Sequence, residues 1–267
     1  MKFENVYWDE GSMKVDGVYP SILAVGDSWF WYPFPGGSLI NHLGRLVATR
    51  EHIILALGAN GAEAFDYTHG KYNKMIRTAL RMHGASLSAV FISGGGNDFA
   101  GVNDLRPMLR DDCSGAQDSS SCFRDGNGEL TLEWLMGKIS ESYRSLIGQI
   151  LVASRPGAKI VVHNYDYAIP NGKGIFGRKA TWLRQALEDA GVPATLQADC
   201  VKTVINRLSI ELEEITKIDP SRIHFVDSRG SLDASHWANE LHPKPSGFRL
   251  IAMEKWNPVL VRLGLSA

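Results

Sequence analysis

Ser28 occupies a position where an open parallel sheet commonly places its chemistry. It follows the apolar run 22–25, inside the sequence Val25-Gly26-Asp27-Ser28, and such sheets bind ligands beyond the carboxyl ends of their strands. Glycine, aspartate and serine are also the residues of ordinary turns between a strand and a helix. A serine nucleophile needs a base within hydrogen-bond reach and donors for the developing oxyanion, so its partners must come from elsewhere in the chain.

His242 is the strongest candidate for that base among the eight histidines of the chain. It lies after the last predicted strand, and the proline that follows it stiffens the turn. His236 is a weaker candidate from the same loop. The remaining histidines fall in or beside predicted helices or within predicted strands: His42, His69, His83, His52, His163 and His224.

Two further glycine-rich segments, 58–61 and 94–98, follow the second and third predicted strands. Glycine lets backbone N–H groups approach a ligand closely, because no Cβ stands in the way. We therefore expect Ser28, a free backbone donor and the amide of Asn97 to converge at one edge of the sheet. Asp27 and Asp98 are predicted to bond nearby backbone N–H groups in Asx turns.

Hydrophobic periodicity predicts five strands separated by helices, which implies a parallel sheet covered on both faces. The predicted strands are 21–26, 52–57, 88–92, 159–163 and 223–226, and the helical patterns begin after Ser38 and run through 72–80, 132–150, 201–215 and 246–263, the last with a break near Pro258. Residues 1–20 are expected to be an irregular lead-in. Residues of about 100–128, rich in Asp, Ser and Gly, are expected to form a surface insertion.

The composition suits one domain over residues 1–267, with 44% hydrophobic residues. A net charge of −1, with neither sign massed in a block, argues against a nucleic-acid partner. No apolar run reaches the ~18–20 residues that span a bilayer, and the start lacks the apolar core of a secretion signal. We therefore expect a soluble protein without stable membrane insertion, cytoplasmic by default although the compartment stays open. No cluster has the spacing of a metal site, so no metal is predicted.

The three cysteines are too few for a disulfide scaffold. Cys113 and Cys122 flank a short polar loop, and a bridge between them would add about 2–3 kcal/mol if the geometry allowed it. Whether they are oxidised depends on the compartment, so both states remain open. Cys200 stands at helical spacing with Val201 and Val204 and is predicted to be a small buried hydrophobe.

Gly26-Asp27-Ser28, Gly61, Gly95-Gly96-Asn97-Asp98 and His242 resemble, in order and rough spacing, the four sequence blocks of the SGNH (GDSL-type) hydrolases. The resemblance implies a flavodoxin-like three-layer α/β/α sandwich with a five-stranded parallel sheet, and hydrolysis of carboxylic esters without a cofactor. It implies that Ser28 is the nucleophile and His242 the general base. It also implies an oxyanion hole made of the N–H groups of Ser28 and Gly61 and the side-chain amide of Asn97.

One position departs from that family pattern. An aspartate usually stands three residues before the histidine, and here the position holds Asn239. An amide oxygen can orient the ring but supplies no negative charge. Three groups could then orient His242: Asn239 with help from a backbone carbonyl, which we favour, Glu240 swinging in, or Asp233 reaching from the preceding loop.

Trp29, Phe30 and Trp31 directly follow Ser28 and are predicted to contact the substrate. An apolar entrance favours a small ester whose acyl part is a lipid chain or an aromatic acid, or an acetylated sugar. The leading interpretation is a serine esterase. Acyl transfer to a sugar or another alcohol, and a non-catalytic carbohydrate- or lipid-binding module, are the alternatives. An α/β-hydrolase is disfavoured because the chain has no Gly-x-Ser-x-Gly.

Overall fold

The computed structural model describes residues 5–31, 37–175 and 181–267, and within them six parallel strands form one sheet. The strands are β1 (Val6–Tyr7), β2 (Ile22–Gly26), β3 (Ile54–Gly58), β4 (Ala89–Ser93), β5 (Lys159–His163) and β6 (Ile223–Val226). Their order across the sheet is β1-β3-β2-β4-β5-β6. The prediction of a parallel sheet is confirmed, but the predicted number of five strands was one too few.

Helices cover both faces of this sheet, as expected for parallel strands whose residues are buried on both sides. The helices of the described residues are α1 (Glu10–Asp16), α2 (Leu39–Val47), α3 (Asn73–His83), α4 (Val102–Leu105), α5 (Leu132–Ala153), α6 (Leu183–Asp189), α7 (Ala194–Thr216), α8 (Pro245–Ile251) and α9 (Asn257–Arg262). Helix α5 packs against α3 and α7, whereas α2 packs against α8 and α9. The result is the predicted three-layer α/β/α sandwich.

The sixth strand comes from the lead-in that we predicted to be irregular. Strand β1 pairs with β3 at the edge of the sheet, and helix α1 follows it. A strand of two residues is too short to show an alternating pattern. Helix α1 buries only Met13 and depends on its ends, where Asp9 accepts the Ser12 N–H at 2.7 Å and Gly17 adopts a φ of +67°.

The insertion at 100–128 carries more of the core than its polar composition suggested. It contains α4, which packs against α6, and a 3₁₀ turn at Ser120–Cys122 that packs against α7. An isolated bridge pairs Leu109 with Phe123, and both side chains are buried. The thiols of Cys113, Cys122 and Cys200 are buried and unbridged.

The C-terminal segment bends differently from the prediction. Instead of breaking at Pro258, the chain passes from α8 through a π-helical stretch at Ala252–Trp256 into α9. Pro258 is the second residue of α9 and follows the π-helical stretch directly, so it removes one backbone donor from a continuous run of helical residues without ending it. Helix α6 had no prediction, although Leu183, Ala186 and Leu187 of its single buried face stand at helical spacing.

The strand order creates one crevice at the carboxyl edge of the sheet. Strand β2 lies between β3 and β4, and the chain leaves β2 towards one side of the sheet and β4 towards the other. Gly26 is in register with both Gly58 and Ser93, so the three following turns begin at the same level. Ligands of open α/β sheets bind at such a switch point, which directs attention to these turns.

Candidate active site

Ser28 and His242 are in direct contact at this edge, although 214 residues separate them in the chain. The serine lies in a tight turn after β2, in which the N–H groups of Phe30 and Trp31 donate to the Asp27 carbonyl. His242 lies in the loop after β6, and its Nε2 is 2.8 Å from the Ser28 Oγ. Both residues are largely buried, with 8% of Ser28 and 5% of His242 exposed.

Asn239 holds the imidazole in a defined tautomer. Its Oδ1 lies 2.8 Å from the His242 backbone nitrogen, 3.0 Å from the Leu241 backbone nitrogen and 3.0 Å from the His242 Nδ1. Two backbone N–H donors require an oxygen at this position, which fixes the orientation of the amide. The ring nitrogen facing that oxygen must then carry the proton, so the lone pair of Nε2 faces the Ser28 hydroxyl.

Glu240 cannot take over the role of the missing aspartate. Its side chain is fully buried, and its carboxylate accepts four backbone N–H groups, from Gly172 at 3.0 Å, Trp182 at 2.7 Å, Leu183 at 2.9 Å and Arg184 at 3.1 Å. These bonds cap the start of α6. The carboxylate therefore anchors the segment that follows β5 and does not reach the histidine.

Asp233 is occupied elsewhere as well. Its exposed carboxylate accepts the Ser235 N–H and lies 3.1 Å from the Nδ1 of His236. Of the three groups that could orient His242, the structure places Asn239 in contact with the ring. The weaker base candidate, His236, is paired with Asp233 and not with Ser28.

The surroundings of His242 favour its neutral form. Burial lowers the pKa of His242 to about 4, since an imidazolium there loses its hydration. The ring also packs edge-on against Trp182, with 6.0 Å between ring centroids. A neutral imidazole at physiological pH is the form that can accept a proton.

The sequence predicts three oxyanion donors: the backbone N–H groups of Ser28 and Gly61 and the side-chain amide of Asn97. Within the described parts of the chain, the backbone N–H groups of Ser28 and Gly61 have no hydrogen-bond partner. The Nδ2 of Asn97 donates to the Ala62 carbonyl at 3.0 Å, which draws the turn after β3 against the turn after β4. Asn97 and Ser28 line the same pocket, whereas Gly61 is exposed on the neighbouring turn.

The Asp27 carboxylate forms hydrogen bonds that hold the turn around Ser28. Its Oδ1 accepts the Trp29 N–H at 2.9 Å, which confirms the predicted Asx turn, and its Oδ2 accepts the Tyr165 hydroxyl at 2.6 Å. The same Oδ2 lies 3.5 Å from the Asn97 Nδ2. Burial raises the pKa of Asp27 to about 6, against the opposing effect of the Tyr165 hydrogen bond. The sequence did not predict this hydrogen bond, because nothing in it distinguishes Tyr165 from the other aromatic residues.

Asp98 does not form the local Asx turn that the sequence predicts. Its carboxylate accepts the N–H of Ala64 at 2.9 Å, a residue 34 positions away, instead of closing a local Asx turn. Burial raises the pKa of Asp98 to about 7. Asp98 therefore connects the turn after β4 to the 3₁₀ turn at Ala64–Tyr67.

The three aromatic residues after Ser28 point in different directions. Contact between Trp29 and a substrate stays a prediction, but Trp29 lines the pocket beside the serine. Phe30 does not, because the turn folds its ring beneath Gly26 and against Trp256 in the core, where 1% of it is exposed. Trp31 packs against Trp8, with ring centroids 4.9 Å apart. The residues that follow these three aromatic residues, 32–36, lie outside the described residues.

Over the described ranges, no group of three His, Cys, Asp or Glu side chains is arranged to hold a metal ion. Among the helices of the described residues, none is long and apolar enough to cross a membrane.

Replacing Glu240 tests its anchoring role. Glu240→Gln puts an NH₂ group where an oxygen now accepts backbone N–H groups, so buried donors lose their acceptor. We expect the free energy of unfolding to fall by about 2–4 kcal/mol. Urea denaturation measures this change. Glu188→Gln removes an exposed carboxylate that pairs with Arg184 in α6 and should cost less than about 0.5 kcal/mol. Equal decreases in the free energy of unfolding of the two variants would contradict the anchoring role of Glu240.

Replacing Asn239 by aspartate tests the electrostatic state of His242. The carboxylate of Asn239→Asp can accept the same three hydrogen bonds and adds a negative charge beside Nδ1–H, which favours the imidazolium. The pKa of His242 should therefore rise from about 4 by at least about one unit. Imidazole NMR titration measures the shift, and Asn257→Asp in α9 serves as a control that leaves it unchanged. An unaltered pKa in Asn239→Asp would show that the two side chains are not in contact.

Comparison with known proteins gives no match to any family model and none to any curated protein. Solved structures do share the fold. A lipase from a goat rumen metagenome is 11% identical, with a TM-score of 0.57 over 93% of this chain and 99% of that one. A carbohydrate acetylesterase family member from Sinorhizobium meliloti is 13% identical, with a TM-score of 0.53 over 92% of this chain and 99% of that one.

A third solved structure, described as a GDSL-like lipase from Bacteroides ovatus, is 12% identical, with a TM-score of 0.51 over 93% of this chain and 55% of that one. Identities this low establish a common architecture. The chain therefore has the fold of the SGNH (GDSL-type) hydrolases.

Proposed function

We propose that the protein is a serine hydrolase that cleaves carboxylic esters through an acyl-enzyme. The observation that carries the proposal is the 2.8 Å contact between the Ser28 Oγ and a His242 Nε2 that Asn239 holds as the proton acceptor. The names of the solved structures with this fold, a lipase and a carbohydrate acetylesterase among them, are consistent with it.

In the first half of the reaction, His242 Nε2 takes the proton of Ser28 as the Oγ attacks the acyl carbonyl. The carbonyl oxygen gains the negative charge and is stabilised by the N–H groups of Ser28 and Gly61 and by the amide of Asn97. When the tetrahedral intermediate collapses, the bond to the alcohol breaks, and the alcohol leaves with the proton from Nε2. The acyl group stays on Ser28.

Water completes the cycle by the same route. Nε2 removes a proton from water as the oxygen attacks the acyl carbonyl, and the proton returns to the Ser28 oxygen when the acid is released. Transfer to another alcohol would differ only in replacing this water. Because Asn239 offers a dipole and not a charge, the imidazolium formed in both halves is less stabilised than in a triad with a carboxylate.

The nucleophile is tested by trapping. A fluorophosphonate should form one adduct, located on Ser28 by mass spectrometry, and Ser28→Ala should lower the kcat for p-nitrophenyl acetate at least about 10³-fold. Ser235→Ala replaces an exposed serine in the loop after β6. It should change neither the formation of the adduct nor the kcat. Undiminished turnover in Ser28→Ala would refute the proposed mechanism. A protein that releases no p-nitrophenol would instead fit the non-catalytic module.

The oxyanion donor is tested separately. Asn97→Ala removes a side-chain donor that stabilises charge in the transition state, so kcat should fall about 10²–10³-fold, equivalent to ~2.7–4 kcal/mol. KM should change little, and far-UV circular dichroism should show the fold intact. The control Asn103→Ala changes an exposed asparagine of α4 and should leave kcat unaltered. A decrease below about threefold in Asn97→Ala would remove Asn97 from the mechanism.

A further inference from the structure

A second cleft, which we call the α5 cleft, lies next to the candidate active site but is separate from it. Its walls are formed by residues from the segments 63–69, 98–108 and 130–142, the last of which includes the first half of α5. It holds about 1150 Å³ of empty space, part of it open to solvent, which is enough for a small organic ligand. Asn97 lines the pocket at Ser28 whereas Asp98 lines the cleft, so the turn after β4 separates the two.

The α5 cleft carries an excess of negative charge. Four carboxylates line it, against one lysine: those of Glu63, Asp98, Asp104 and Glu141, and Lys138. The Lys138 Nζ lies 3.3 Å from the Glu141 carboxylate, so these two charges balance each other. In the described part of the chain, none of the other three carboxylates forms an ion pair. A bound cation would supply the counter-charge that they lack.

The pKa values of these carboxylates are raised, as expected for an excess of negative charge. Burial, and then the charges of Glu63 and Asp27, raise the pKa of Asp98 to about 7. Partial burial, together with the charges of Asp66 and Asp104, raises the pKa of Glu63. A cation nearby favours the ionised carboxylate. Binding a cation would therefore lower the cost of keeping these groups ionised.

Two polar atoms of the cleft have no hydrogen-bond partner in another described residue. Ser142 of α5 is only 7% exposed, yet its hydroxyl oxygen is unpaired and open to the cleft. Oδ2 of Asp98 accepts the Ala64 N–H at 2.9 Å, whereas its Oδ1 is unpaired. Nearly buried polar atoms without partners are costly. Because both oxygens can accept a hydrogen bond, a ligand that carries N–H donors would satisfy them.

The rest of the wall suits a hydrocarbon chain. Phe65 is exposed and stacks on His69, with 5.5 Å between ring centroids, and Trp134 is half-buried. Leu130 is exposed at a φ of +64°, which is uncommon for a residue of its size. Aromatic faces attract organic cations as well as alkyl groups. The acidic side chains are not arranged around one metal ion, so their charge suits a cation with an apolar body.

We propose that the α5 cleft binds a small aliphatic amine as its primary ammonium ion. The ammonium donates to Oδ1 of Asp98 and to the Ser142 hydroxyl, within the negative field of Glu63 and Asp104. The alkyl chain lies along the apolar wall that includes Trp134. The inference does not depend on the proposed function, because the Ser28 and His242 side chains are not part of the cleft.

The test titrates the protein with n-pentylammonium chloride and follows the indole N–H signal of Trp134 by proton–nitrogen NMR at constant ionic strength. 1-Pentanol has the same chain without the charge, so it measures the apolar contribution alone. The amine should bind at least about tenfold more tightly, because hydrogen bonds to charged groups are the stronger ones. Equal affinities for the amine and the alcohol, or no shift of the Trp134 signal with the amine, would overturn the ammonium site.

Ser28→Ala separates this site from the proposed catalysis. The variant should bind n-pentylammonium as tightly as the wild-type protein does, so the cleft can be tested even if the protein hydrolyses no ester. A loss of amine binding in Ser28→Ala would show that the amine occupies the pocket at Ser28 and would overturn the assignment to the α5 cleft.

The carboxylates are tested at two exposed positions, which leaves the core intact. The double variant Glu63→Gln/Asp104→Asn should bind n-pentylammonium at least about tenfold more weakly and 1-pentanol unchanged. The control Glu254→Gln removes an exposed carboxylate from the π-helical stretch after α8 and should alter neither affinity. Equal losses in the two proteins would indicate general electrostatic attraction and would refute a defined site.

The hydroxyl of Ser142 has a matched control in the same helix. Ser140 is also 7% exposed but lies outside the cleft. Ser142→Ala should weaken binding of the amine about threefold to tenfold, as expected for the loss of one hydrogen bond, and Ser140→Ala should not change it. Equal affinities in the two variants would contradict the contact between the ammonium and Ser142.

Discussion

The candidate site depends on the hydrogen bonds that a single oxygen accepts. Oδ1 of Asn239 accepts two backbone N–H groups of its own turn and the Nδ1–H of His242. The backbone donors prevent the amide from turning over, and the fixed amide in turn determines which ring nitrogen faces Ser28. A neutral side chain thus supplies the orientation of a catalytic triad without its charge, and burial is left to determine the pKa of the imidazole.

The order of the polar turns allowed much of this site to be predicted from the sequence. Ser28, Asn97 and His242 each follow a strand, and parallel strands bring such positions to one edge of a sheet. The three-residue spacing was also sufficient to favour Asn239 as the neighbour of the ring. These positions could be predicted because they required only the topology and the direction of the chain, and the structure brings Ser28, His242 and Asn239 into contact; their catalytic roles stay predictions.

The features that were not predicted, or were predicted wrongly, are ones that a linear pattern does not contain. Four backbone N–H groups bind Glu240, and backbone donors have no residue type that marks them in a sequence. Trp29 and Phe30 are neighbours with similar side chains, yet the turn at Asp27 sends one ring to the pocket and the other to the core. Strand β1 is stabilised by pairing with β3 and by burial, so its two residues show no periodicity of their own.

Asn239 and Glu240 are consecutive, and this adjacency has a mechanical consequence. One peptide unit links the group that orients the imidazole to the group that ties down the chain around Gly172 and Trp182. A peptide unit is planar and reorients only as a whole. A backbone change that moves Glu240 therefore also moves Asn239, so the hydrogen bonds of the imidazole and those around Gly172 and Trp182 have to be satisfied by one local backbone conformation.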